Sequence, residues 1–192
     1  MSVESSRDPH DLDEQALIDR IRLGDVAAFD AMYVRYHPRL LEFAFRYLHS
    51  REAAEDVVQE TMLAIWNVRA SWQITHGLAA YLYGAVRNRA LQVARHDGIV
   101  AKAALSGMLA QFRGSPEWTN PVEGLLANEA RHLVRAAIMK LSEGQKRVLL
   151  LRWQDDLTSA QIGHALGISE AAARKQVQRA EAALRAMLEQ LR

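Results

Sequence analysis

The sequence predicts an all-α protein: two small helical domains joined by a flexible linker, the second carrying a helix-turn-helix. Three observations predict it. Ala, Leu, Arg, Glu and Gln dominate, and no long stretch alternates with period two. Apolar residues recur at spacings of three and four, with capping residues between the runs. Between two such blocks, Gly98, Gly107, Gly114, Pro116, Pro121 and Gly124 break the pattern.

In the first block, Leu17, Ile18 and Ile21 form a short stripe that Gly24 can end in the left-handed conformation. Asp25 can cap the next helix. Phe29, Met32, Tyr33, Tyr36, Leu40, Phe43 and Tyr47 follow at helical spacing, with Pro38 marking a kink or a break. Ser50 caps a helix running to about Trp66, with Glu52 near its positive end. A further helix covers Leu78 to about Ala94. In the linker, Met108, Leu109, Phe112 and Trp118 can dock on a surface. The second block carries a stripe of Leu133, Val134, Ala137, Ile138 and Leu141. Ser142 with Gln145 has capping-box spacing before Val148, Leu149 and Leu151, and Thr158 with Gln161 repeats it. Ile162, Ala165 and Leu166 precede Gly167. Ser169 caps a last helix with Ala173, Val177, Ala180 and Leu184 on one side.

Length and composition exclude several classes. The 192 residues are 49% apolar and 24% charged, enough to build a core. No run approaches the roughly 18–20 apolar residues of a membrane span. The polar, acidic start is unlike a signal peptide. There is no cysteine, which removes disulfides and thiolate sites and fits a cytoplasmic protein. Charge is uneven: residues 1–60 hold 7 Lys+Arg and 13 Asp+Glu, and residues 61–192 hold 17 and 10. Such a chain suits a nucleic-acid partner for the basic part and a basic protein for the acidic part, or reflects chance scatter. The seven histidines show no metal-ligand spacing. No phosphate-binding glycine loop or nucleophile elbow is present. The expectation is no enzyme, no metal and no cofactor.

Two segments carry function. Residues 158–180 have helix-turn-helix spacing, with Gly163 small where two helices approach and Ile168 at the corner. Ala171, Arg174, Lys175 and Gln178 face outward on the second helix, and such side chains read major-groove edges and meet phosphates. An ordinary helical hairpin with a charged face is the weaker alternative. In residues 50–66, Ala54, Val58, Met62 and Ile65 form a core stripe. Asp56, Gln59, Glu60 and Asn67 lie opposite, around Leu63. That face is either a docking surface for a basic protein or an ordinary polar face with one stray leucine.

The chain resembles the bacterial RNA polymerase sigma factors of the extracytoplasmic-function type. The likeness runs through 28–48, 53–66, with its Asp56-Val57-Val58-Gln59-Glu60 run, 80–91, 141–153 and the helix-turn-helix. It implies a sigma region 2 domain at 15–97 after a flexible 1–14 extension, a linker at 98–127 and a region 4 domain at 128–192. Asp56, Gln59, Glu60 and Leu63 would bind core polymerase. The loop 69–77, with Arg69, Trp72, Gln73 and His76, would receive a flipped base of the minus-10 promoter element. The following helix, with Arg87, Asn88, Arg89 and Arg95, would meet that element's upstream edge. Ala171, Arg174, Lys175, Gln178 and Arg179 would read the minus-35 element. The implied partners are core RNA polymerase, promoter DNA and an anti-sigma protein, with no membrane insertion.

The physical logic agrees. Holding unstacked bases needs aromatic and polar groups in a basic setting, and residues 61–96 hold four arginines and no acid. Trp72 itself either contacts DNA or packs against Tyr81 and Tyr83. The sequence departs from common family patterns at Tyr81, Gly84, Ser142, Asp155 to Thr158, Gln176 and Glu181. The last two weaken phosphate binding on the recognition helix. A stand-alone helix-turn-helix regulator is the competing reading. The acidic first block speaks against it, because it would repel DNA.

Overall fold

The computed structural model describes residues 9–96, 134 and 137–190. These residues form helices, with no strand among them. They fall into two compact units. The first is built on α1 (Pro9–Arg22), α2 (Val26–Leu48), α3 (Arg51–Val68), a 3-10 turn (Arg69–Ser71) and α4 (Leu78–His96). The second is built on α5 (Glu143–Gln154), α6 (Ser159–Leu166) and α7 (Glu170–Gln190).

Local chemistry sets the helix ends of the first unit. Gly24, at φ +86°, closes α1 in a Schellman motif: its N–H meets the Ile21 carbonyl at 2.9 Å and the Asp25 N–H meets the Arg20 carbonyl at 3.1 Å. Asp25 then caps α2 by accepting the Ala28 N–H, as Ser50 caps α3 by accepting the Ala53 N–H. The core joins Ile18 and Ile21 of α1 to Met32, Tyr36, Leu40 and Phe43 of α2, Ala54, Val58, Met62 and Ile65 of α3, and Leu82, Tyr83 and Val86 of α4. Phe43 and Tyr83 meet edge to face at 4.9 Å.

Three features of this unit bear on the sequence reading. Residues 9–14, read from the sequence as part of an extension, lie within α1. Pro38 does not break α2, which runs unbroken past it to Leu48; buried residues on both sides of the proline hold the helix together against a cost of about 3 kcal/mol. Of the two readings left open for Trp72, this structure shows the packed one: it is 2% exposed and edge to face with Tyr81 at 5.3 Å. Burying a large indole releases more free energy than leaving it in water.

In the second unit the Ser142–Gln145 capping box forms at the start of α5. The same reciprocal bonds join Thr158 and Gln161 at the start of α6. Ala137, Leu141, Leu149, Ala180 and Leu184 make a shared core, with Met187 and Leu188 against it. Val134, expected in that stripe, is exposed. Leu133, the linker 98–127 and its apolar residues lie outside the described residues.

Candidate polymerase and promoter surfaces

α6 and α7 meet at a turn whose geometry explains its residues. Gly167 has φ +63°, its N–H bonds the His164 carbonyl at 3.2 Å, and the Ile168 N–H bonds the Gly163 carbonyl at 2.9 Å. This is a second Schellman closure. A Cβ on Gly163 would lie 2.9 Å from the Ile168 carbonyl oxygen, so the close approach requires glycine. Ser169 accepts the Ala172 N–H at 3.2 Å and starts α7. With Ala173, Val177 and Ala180 buried, Ala171, Arg174, Lys175, Gln178 and Arg179 are all exposed on α7.

One neighbour of this face was not anticipated. Glu170, in the first turn of α7, accepts from the Arg174 guanidinium at 2.7 Å. The i,i+4 spacing is visible in the sequence and gives the signal that finds it. The carboxylate occupies one edge of the guanidinium and leaves its other donors for a base edge.

On α3, Asp56, Gln59, Glu60 and Leu63 are exposed together, Leu63 at 62%. Val57 and Thr61 are buried with the expected stripe, which widens the inward face and narrows the outward one. On α4, Asn88, Arg89 and Arg95 are exposed and Arg87 is half-buried, donating to the Asn88 side chain at 3.1 Å. Arg89 and Glu60 form an ion pair across the two helices, with Arg89 Nε donating to Glu60 Oε2 at 2.8 Å. Beside that pair lies a groove of about 570 Å³ between α3 and α4, lined by Leu63, Ala64, Asn67 and Asn88 among others. The acidic face and the basic face thus share an edge.

Between these helices, Gln73 and His76 are exposed while Arg69 is half-buried. Arg69 lies over the Trp66 ring, 4.1 Å from its centre, and donates to the Trp66 carbonyl oxygen at 2.8 Å. The Trp72 indole N–H is buried with no acceptor among the described residues. No group of three or more His, Asp or Glu side chains among the described residues could hold a metal, and no described helix is long and apolar enough to cross a membrane.

Known proteins resemble this chain. Residues 32–98 match the sigma-70 region 2 family model and residues 131–191 match that of sigma-70 region 4, about two thirds of the chain together. The RNA polymerase sigma-H factor of Pseudomonas aeruginosa is 24% identical over 183 residues, covering 93% of this chain and 95% of its own. The ECF sigma factor SigW of Bacillus subtilis is 24% identical over 181 residues, covering 91% and 96%. The ECF sigma-E factor of Escherichia coli is 26% identical over 183 residues, covering 90% and 93%. Among solved structures, CnrH in complex with the cytosolic domain of CnrY aligns with TM-score 0.57 at 21% identity, over 92% of this chain and 97% of that one. The sigma factor RpoE of Bartonella quintana, in complex with the anti-sigma factor NepR, aligns with TM-score 0.60 at 20% identity, over 84% and 96%. Both share the fold. With a region 2 match and a region 4 match on one chain, and full-length likeness to ECF sigma factors, the chain belongs to the sigma-70 family as an RNA polymerase sigma factor of the extracytoplasmic-function type.

Proposed function

We propose that the exposed face of Asp56, Gln59, Glu60 and Leu63 is where this sigma factor grips core RNA polymerase. The supporting observation is an acid-and-amide face around one exposed leucine, on a helix whose inward side is fully committed to the core. A basic polymerase surface would pair with the carboxylates and bury Leu63. Arg87, Asn88, Arg89 and Arg95, with Gln73 and His76 before them, then face the minus-10 element once it is single-stranded. Arg69 joins them by leaving the Trp66 ring. Arg174, Lys175 and Gln178, flanked by Ala171 and Arg179, read the minus-35 element in the major groove.

The working divisions are region 2 within 15–97, extended at its start by the rest of α1, a linker at 98–127 and region 4 within 128–192. The protein acts by binding, without catalysis of its own, in the cytoplasm where the polymerase works. An anti-sigma protein is a partner; the support is the fold shared with RpoE, which was solved with the anti-sigma factor NepR.

Asp56 tests the polymerase face cleanly, because Glu60 also holds Arg89. Asp56→Lys should lower core affinity at least tenfold with helicity unchanged, since the side chain lies outside the core. Unchanged core affinity contradicts the assignment.

A further inference from the structure

α1 ties down the segment between α3 and α4 at both ends. At the near end, Arg22 Nε donates to the Trp72 carbonyl oxygen at 2.8 Å, and its Nη2 donates to the same oxygen. At the far end, Glu14 Oε1 accepts the backbone N–H of Leu78 at 2.8 Å. Leu78 opens α4, so that N–H has no partner within its own helix. The residue before it is Gly77, at φ +86°, which has no side chain to cap with. The cap is therefore imported from another helix, and its negative charge suits the positive end of α4.

Between the two ties the side chains of Gln73, Thr75 and His76 are exposed. Below them Trp72 is wedged against Tyr81. The backbone is fixed at Trp72 and at Leu78, and what lies between presents polar groups outward. Extracting a base from a duplex is costly, and a receiving segment that must also be ordered makes it costlier. A preformed segment avoids that second cost.

We propose that Glu14 and Arg22 are positioning residues for promoter recognition: they hold the 73–77 segment in the shape that receives an unpaired base, without touching DNA. This rests on the assignment of that segment to the minus-10 element. Loss of either tie leaves polymerase binding and duplex recognition by α7 in place. It weakens strand opening and blurs preference at the captured base.

The experiment uses full-length Glu14→Ala, Glu14→Gln, Arg22→Ala and Arg22→Lys, each assembled with core polymerase. Three quantities are read: core affinity, permanganate reactivity of unpaired thymines, and base preference across a randomised minus-10 library. Glu14→Ala and Arg22→Ala should lower opening about tenfold, the size expected for one lost charge-assisted hydrogen bond, and flatten preference at one position. Core affinity should hold within twofold. Glu14→Gln, which keeps an acceptor oxygen, should recover most of both. Gln73→Ala and His76→Ala serve as controls on the segment itself. If they alter preference while the Glu14 and Arg22 variants do not, the bracing role is wrong and the segment's assignment stands. If none of them alters preference, the assignment fails as well. Should an alanine variant fail to fold, Glu14→Gln and Arg22→Lys decide the matter: weakened core affinity in step with opening, and no change in base preference, overturns the proposal.

Discussion

Trp72 shows how far a single residue can be read. Its indole is buried, yet its N–H finds no acceptor among the described residues. An orphan donor in a core costs about 1–3 kcal/mol, while truncating a buried Trp to Ala costs about 3–5 kcal/mol. Trp72→Ala should therefore destabilise the first unit by about that larger amount, seen as a lower denaturant midpoint. Trp72→Phe should cost far less, because it removes the orphan with part of the volume. A stable Trp72→Ala protein with weakened promoter binding would contradict the core assignment. The sequence left this residue open for a physical reason: an indole beside tyrosines packs or stacks equally well, and only the burial of the turn decides. Glu14 and Arg22 were harder still. Their partners, Leu78 and Trp72, lie 64 and 50 residues away, and no local spacing signals such a tie. The outward set on α7 was legible because Ala173, Val177 and Ala180 fix the inward side of the helix.

At the scale of elements, the caps of α2, α3, α5, α6 and α7 were the most legible features, since each depends on residues within four positions. Asp25 joins two of them, as the residue after the α1 glycine and as the cap of α2. Its carboxyl is held below the ordinary value of 3.8, first by the Ala28 N–H and then by Arg20, which it meets at 2.8 Å. A carboxyl whose folded pKa is depressed adds stability above its unfolded pKa and loses it as pH falls through the folded one. Acid titration below about pH 4 should therefore destabilise the native chain more than Asp25→Asn, which caps without a charge. Parallel acid curves for the two proteins would contradict this. The turn from α5 to α6 gives a second test. Asp156 has φ +54°, a conformation Asp tolerates and a β-branched residue does not. Asp156→Gly should be neutral or stabilising, and Asp156→Val should cost about 1–2 kcal/mol in the unfolding free energy. Equal stability of the two variants would show that the turn relaxes. Of the kink or break expected at Pro38 the break is absent, because helix-breaking is a local tendency and the packing of Met32, Tyr36, Leu40 and Phe43 overrides it.

Across the whole molecule, charge is unevenly divided. The acids gather in the first 60 residues, and residues 61–96 carry arginine without any acid. The boundary between the two runs along the Glu60–Arg89 pair. That pair is exposed, so it contributes little to stability, about 0.2–1 kcal/mol. On the proposed assignments it opens when polymerase takes Glu60 and DNA takes Arg89. The fold class and the helix-turn-helix were readable because both rest on local periodicity and caps. The tie of α1 to the segment before α4 was not, because it depends on tertiary packing.

The most direct test is run-off transcription with purified core polymerase and a promoter library. Core with this chain should start at a defined promoter class that core alone does not use. Asp56→Lys should abolish initiation, and Arg174→Ala should shift preference only in the upstream element, by about 1–3 kcal/mol at one base pair. The contradicting result is a chain that binds duplex DNA tightly and specifically by itself, while core polymerase neither binds it nor gains a start site.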